Sequence, residues 1–218
     1  MRVFQYTYMM LVLIILHLTC AISLGRIIPG LCVVIYSVIV AAVMVVMLQV
    51  RDMSEVGSLS LIGTATILLV VCIALIGLPI TDAGSGGGES LGPPKAHSTI
   101  LLMSVAMMDI VFSFAGQIIY IELQSEMTEP KDFIKAMTTA NTTMYACYLL
   151  VGCVGYHFVG GADLKNGDPV TSEISSRGSG LDRFVNALLF VHVLIAYLIE
   201  ANVVARGFFM IGARRGPP

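Results

Sequence analysis

The chain has 218 residues, 57% of them hydrophobic and 12% charged, with a formal net charge of -2 and a mean hydropathy of +0.90. Soluble domains carry roughly 25% charged residues, so this composition excludes an ordinary soluble fold and implies a polytopic membrane protein in contact with the lipid bilayer. No basic tract is present to neutralise a phosphate backbone, which excludes a nucleic-acid partner.

A spanning helix needs about 20 mostly apolar residues. Six stretches qualify: residues 8–24, 27–50, 58–80, 99–123, 142–160 and 184–205. Together they predict an all-α membrane protein with a single transmembrane domain over residues 1–218. The first stretch also reads as a secretory signal, because Arg2 precedes an apolar run that ends in small residues. Its nearly direct continuation through Gly25 and Arg26 instead suits a helical hairpin. The connections differ in character. Residues 49–57 form a short charged turn, and residues 81–98 and 161–180 are polar and rich in turn formers, with no apolar pattern to bury. The Gly-Ser-Gly-Gly-Gly run after Ala83 lacks the Lys-Ser/Thr of a phosphate loop. In residues 124–140, Met127, Phe133, Ile134 and Met137 recur near helical spacing among charges, which predicts a short helix lying in the membrane interface.

Lys and Arg set the orientation. With the N-terminus inside, Arg2, Arg51, Lys131, Lys135, Arg206, Arg214 and Arg215 are cytoplasmic, seven of the 12. Asn141-Thr142-Thr143, a formal glycosylation acceptor, then lies on the cytoplasmic side and stays unmodified. The five cysteines, Cys20, Cys32, Cys72, Cys147 and Cys153, fall in apolar segments without a Cys-x-x-Cys. They read as small packing residues, with no disulfide framework and no metal site.

Residues 104–135 organise the chain. An apolar helix carries a carboxylate, Asp109, and then meets a run of small residues, Ser113-Phe114-Ala115-Gly116-Gln117. A carboxylate in hydrocarbon costs several kcal/mol unless it faces protein or water, so it is a functional hypothesis by default. A Gly beside a Gln at bilayer depth is where a helix can unwind and offer main-chain groups to a ligand. The stretch therefore reads as half of a substrate site in a membrane transporter, with Asp109 suited to carrying a proton. At about 100° per residue, Asp109, Ser113, Gly116, Gln117 and Tyr120 share one face. The rival is a packing stripe, since small and polar residues glue membrane helices together. In the last stretch Asp182, Asn186, Tyr197 and Glu200 project close together, Glu200 near water at the cytoplasmic end and His192 on a neighbouring face. A lone His more often makes a helix contact than a proton relay; His17 and His157 read as packing. No Ser–His–Asp spacing, no HExxH and no carboxylate pair on one helix suggests hydrolysis, so no catalytic residue and no cofactor is expected.

The residues from Phe112 onward resemble the amino acid/auxin permease family, in which an aromatic–x–aromatic–small–Gly–polar break precedes an acidic residue and a Met–x–x–Pro–x–x–Phe–x–Lys run. Here these are Phe112, Phe114, Ala115, Gly116, Gln117, Glu122, Met127, Pro130, Phe133 and Lys135. The next helix resembles that family's too, with Gly155, Tyr156, Phe158 and Gly160, and so does the later one with His192 and Tyr197. The resemblance covers the chain from about Arg51; the first two stretches match by hydropathy alone.

The resemblance implies an inverted-repeat fold like the bacterial leucine transporter's, with the six stretches as its helices three to eight and an amino acid held between two broken helices. Phe112, Ser113, Phe114, Ala115, Gly116 and Gln117 would bind the substrate, and Asp109, His192 and Glu200 are the ion-coupling candidates. It further implies secondary active transport. Sodium-coupled relatives of this fold use hydroxyls on the eighth helix, and residues 181–206 contain no Ser or Thr, so the proton is favoured over sodium. The scaffold's first broken helix has no counterpart here, so the chain is expected to be an incomplete piece that does not transport alone. The alternative is a non-transporting membrane scaffold or regulator. No segment distinguishes a plasma-membrane from a vacuolar or lysosomal address.

Overall fold

The computed structural model describes residues 2–49, 53–82, 100–114, 116, 120, 124, 127, 129–159 and 179–213. They are all-helical: α1 (Arg2–Ile27), α2 (Val33–Met47), α3 (Met53–Asp82), α4 (Ile100–Ser113), a 3-10 turn (Pro130–Asp132), α5 (Phe133–Val159) and α6 (Gly180–Ala213). Two compact units are present, one of Met1–Val70 with Ser175–Pro218, the other of Val71–Ile174. Of the expected connections, residues 50–52, 83–98 and 161–178 lie outside the described residues; residues 53–57 of the turn expected over 49–57, and Thr81 and Asp82 of the loop expected over 81–98, are instead helical at the two ends of α3, and Gly180 begins α6.

Six spans were expected, and among the described residues three helical segments are both long and apolar enough to cross a bilayer: Phe4–Ile27, Leu59–Ile80 and Gly180–Phe209. The 15 residues of α2 are apolar but short. At 1.5 Å per residue they reach roughly 22 Å, against a hydrocarbon core of about 30 Å. The apolar part of α4, Met103–Ser113, is shorter still. The 27 residues of α5 are long enough, but its first half carries Lys135, Thr138, Thr139, Asn141, Thr142 and Thr143.

In the first unit α1 packs on both α2 and α6. Cys20 of α1, Val40 and Met44 of α2, and Val193 and Leu198 of α6 form its buried core, with Leu59 of α3 against them. Lipid is as apolar as these side chains, so close packing and interhelical hydrogen bonds hold the helices together. Gly207 shows how close: a Cβ there would overlap the Tyr6 ring of α1.

The hairpin turn is displaced from its expected place at Gly25-Arg26. Both residues remain helical, and the chain reverses over residues 28–32. Pro29 supplies no N–H and Gly30 sits at φ 134°, which an L side chain rarely adopts, so the turn belongs there. Tyr36, 3% exposed, closes it: its hydroxyl donates to the Ile28 carbonyl and accepts from the Leu31 N–H at 3.1 Å. The Tyr36 ring lies 3.1 Å from where a Cβ on Gly25 would stand, so a side chain there would crowd the ring.

In the second unit Ala74 and Leu78 of α3 are buried against Val154 and Phe158 of α5. The expected interfacial helix over residues 124–140 is not a separate element where it is described. After the 3-10 turn, residues 133–140 are the first turns of α5 and run without interruption into the expected 142–160 span. Nothing between Met137 and Thr142 breaks a helix. The hydroxyls of Thr138, Thr139, Thr142 and Thr143 each donate to the carbonyl four residues back at 2.7–3.0 Å, which satisfies them within the helix.

Among the cysteines, Cys20 is buried as a packing residue should be. Cys32, Cys72 and Cys153 are exposed, and all five are free.

Candidate functional site: the interrupted helix

The regular helix of α4 stops at Ser113, where the small-residue run begins. The Phe114 N–H reaches back three residues, to the Val111 carbonyl at 3.2 Å, the tightened bond of a closing turn. Gly116 stands in a 3-10 turn, exposed, and a Cβ there would meet nothing within 4 Å. One turn inside the helix, the Ser113 hydroxyl donates to the Asp109 carbonyl at 2.8 Å, so the two share a face. The Asp109 side chain is exposed, among Met107, Met108, Ile110 and Val111, which are exposed as well. Phe112, 38% exposed, and Phe114 flank the stop. Ala115 and Gln117, also expected in the site, lie outside the described residues.

Helix α5 meets this stop from the side. The Tyr148 hydroxyl donates to the Ser113 carbonyl at 3.1 Å, and its ring stands edge-on to Phe114 at 5.5 Å. Beyond the stop, the Tyr120 hydroxyl donates to Asn141 Oδ1 at 3.0 Å, and its ring packs edge-on against Phe133 at 6.0 Å. Neither Tyr148 nor Asn141 was singled out for the site from the sequence. The available signal was their seven-residue spacing, which puts both on one stripe of a helix. Chemically, a helix stopped in this way leaves carbonyls at its negative end, able to hold an ammonium.

The remaining candidates are on α6, in the other unit. His192 places Nδ1 2.9 Å from the Gly63 carbonyl of α3, the geometry of a contact between helices; that carbonyl also accepts from the Thr66 hydroxyl at 2.8 Å. Glu200 is half-buried and within electrostatic reach of Tyr8 on α1. Asp182 and Asn186, both buried, form a local pair: Asn186 Nδ2 donates to Asp182 Oδ1 at 2.9 Å and to its carbonyl at 2.8 Å. The Ser179 hydroxyl accepts from the Asp182 N–H at 3.1 Å and caps the helix. Tyr197, projected near them from the sequence, instead faces His17 edge-on at 5.7 Å. His17 does more than pack: its Nε2 is 2.7 Å from the Ser37 hydroxyl, so it ties α1 to α2.

The family described as "transmembrane amino acid transporter protein" matches residues 1–211, so the resemblance reaches through α1 and α2 as well. A "transmembrane transporter" of Fusarium pseudograminearum is 29% identical over 136 residues, 60% of this chain and 29% of its own length. "Amino acid permease 3" of Arabidopsis thaliana is 27% identical over 176 residues, 75% of this chain and 36% of its own. The "N amino acid transport system protein" of Neurospora crassa is 22% identical over 179 residues, 78% of this chain and 38% of its own. The chain thus spans about a third of the length of these relatives. No solved structure matches.

Proposed function

Because the chain belongs to the transmembrane amino acid transporter family, a family of transporters and not of enzymes, we propose that it serves amino acid transport and that the interruption of α4 is its part of the substrate site. One observation carries this reading: an apolar helix stops at Ser113, in mid-segment, beside an exposed Gly116. Main chain that leaves the helical ladder inside a membrane is stable only against protein or a wet cavity, and there its free groups can bind the charged ends of an amino acid. Phe112, Ser113, Phe114, Ala115, Gly116 and Gln117 form that surface. The inverted-repeat fold of the leucine-transporter type is the scaffold that would use it, as one transmembrane domain.

Asp109 is the nearest group for coupling, one turn before Ser113 and joined to it through its carbonyl. His192 and Glu200 are the other candidates. With no Ser or Thr over residues 181–206 to complete a sodium site, the coupling ion in this reading is the proton.

The test is uptake by an Arabidopsis amino acid permease in which residues 1–211 of this chain replace the matched segment. Saturable uptake of radiolabelled amino acids is expected, driven by an inward proton gradient without sodium and lost on adding a protonophore. Sodium-dependent, pH-independent uptake would remove the proton from the proposal. If the graft folds and reaches the membrane yet takes up none of the twenty amino acids, the function itself is wrong.

A further inference from the structure

We propose that His17, with Ser37 and Tyr197, forms a proton-binding site inside the bilayer, where α1, α2 and α6 meet. The proposal rests on the reading of the chain as part of a proton-coupled transporter, and adds to it a residue that the sequence marked for packing alone.

Depth is the first observation. At 1.5 Å per residue, roughly 15 Å of apolar helix separates His17 from Ile27, the nearer end of the Phe4–Ile27 span. A tie between helices at that depth needs a polar group but not an ionisable one. The second is that the imidazole is bonded on one side. Nε2 is 2.7 Å from the Ser37 hydroxyl of α2. Nδ1 has no partner among the described residues, and among them no buried side-chain nitrogen or oxygen lacks one, so Nδ1 stands at the surface of this half-buried ring. An unpaired nitrogen facing hydrocarbon is costly, and water on that side both satisfies it and brings the proton.

The step is simple. The neutral ring carries its proton on Nε2 and donates it to Ser37 Oγ, so Nδ1 holds the lone pair. A proton from water adds there, the ring gains one positive charge, and no other bond in the protein breaks. Release returns the proton to water. Two neighbours hold the charged ring. The bond to Ser37 becomes charge-assisted, and the Tyr197 ring is centred 5.7 Å away at 76°, within the distance at which an aromatic ring attracts a cation.

No carboxylate faces the imidazole among the described residues. From α6 comes Tyr197, from α2 the Ser37 hydroxyl, and α3 reaches the adjoining core through Leu59; Cys20, a turn along α1, lies in that core. Glu200 is directed toward Tyr8, and His192 toward the Gly63 carbonyl. The proton therefore arrives without a fixed counter-ion, so the site loads and empties, and each change alters the tie between α1 and α2.

The test uses the full chain in lipid nanodiscs, labelled with 15N-histidine and followed by NMR from about pH 5 to 8, the range in which an imidazole changes charge. The chain has four histidines, and His17→Gln identifies the His17 signals by their loss. Nδ1 should gain its proton within that range while Nε2 keeps its own. Ser37→Ala leaves the ring and removes the charge-assisted bond, so proton binding should weaken about 3- to 10-fold; Tyr197→Phe, which keeps the aromatic ring, should change it less than about twofold. A His17 ring that stays neutral throughout overturns the site. A midpoint unmoved by Ser37→Ala overturns the cluster. In the Arabidopsis permease carrying residues 1–211, Ser37→Ala should displace the pH midpoint of uptake by the same factor of about 3 to 10 in proton concentration. An unmoved midpoint of uptake overturns the coupling role. A His17 that titrates in a chain whose graft takes up no amino acid leaves the proton site standing and removes the transport reading beneath it.

Discussion

Replacing Gly116 by Leu should separate the fold from the function, because the structure makes it nearly free for one and severe for the other. A Cβ at Gly116 meets no atom within 4 Å, and the residue is exposed with a φ outside the left-handed region. The added side chain therefore displaces nothing. Loss of glycine's freedom in the unfolded chain contributes about 0.4–1 kcal/mol in favour of the folded state. Thermal unfolding of the full chain in nanodiscs, followed by far-UV circular dichroism, should consequently stay within about 1 kcal/mol of the wild type. Binding behaves differently. A Leu side chain standing over the main chain keeps the substrate's charged ends from the carbonyl and N–H groups, each of which contributes about 1.5–3 kcal/mol to a charged partner. Losing two such bonds costs about 3–6 kcal/mol, a fall of roughly 10²- to 10⁴-fold. Radiolabelled uptake by the grafted Arabidopsis permease is the assay, and it should drop to background. Uptake within threefold of the unsubstituted graft would refute the main-chain site. Unfolding of the full chain by the same substitution would refute the premise that the position is open.

Two further substitutions probe the other unit. Tyr36→Phe keeps the ring against Gly25 and removes both hydrogen bonds of the hairpin turn. Ile28 and Leu31 are 57% and 51% exposed, so interfacial water recovers part of the loss. A destabilisation of about 1–2 kcal/mol is expected, with faster exchange of the Leu31 amide; a variant as stable as the wild type with unchanged exchange would show that the turn is held by Pro29 and Gly30 alone. His192→Leu removes the bond to the Gly63 carbonyl, which keeps its donor from Thr66 and so is not left unsatisfied. The cost should be near the membrane average of about 0.6 kcal/mol, and the pH profile of uptake by the graft should not move. A flattened profile would take His192 out of the helix contact and into proton coupling.

Much of this protein is written locally. Apolar runs long enough to cross a bilayer exclude water from every backbone group except through helices, so the helical class follows from composition alone. The interruption of α4 is equally local: Ser113, Phe114 and Gly116 weaken a helix wherever they stand together, and the regular ladder stops at Ser113. The boundaries were less legible. Gly25 looked like a turn and is helical, because Pro29 and Gly30 four residues on make the stronger turn and Tyr36 closes it. Residues 133–140 looked like a separate interfacial helix and are the start of α5, because threonine hydroxyls satisfied by their own helix cost it little.

Partnership is what tertiary structure decided. Asp182, Asn186 and Tyr197 project together on a helical wheel, yet Asn186 turns to Asp182 while Tyr197 turns to His17 across a helix pair. Tyr148 carried no motif and Asn141 only that of a glycosylation acceptor, and their place beside the end of α4 comes from the packing of α5 against residues 21–35 positions away. Helical periodicity says which residues share a face; it contains no information about which face of another helix that one meets. That choice is made by side-chain shape and hydrogen bonds between segments far apart in sequence, and so the helices and the stop at Ser113 were readable from the chain while the groups of α5 that meet it were not.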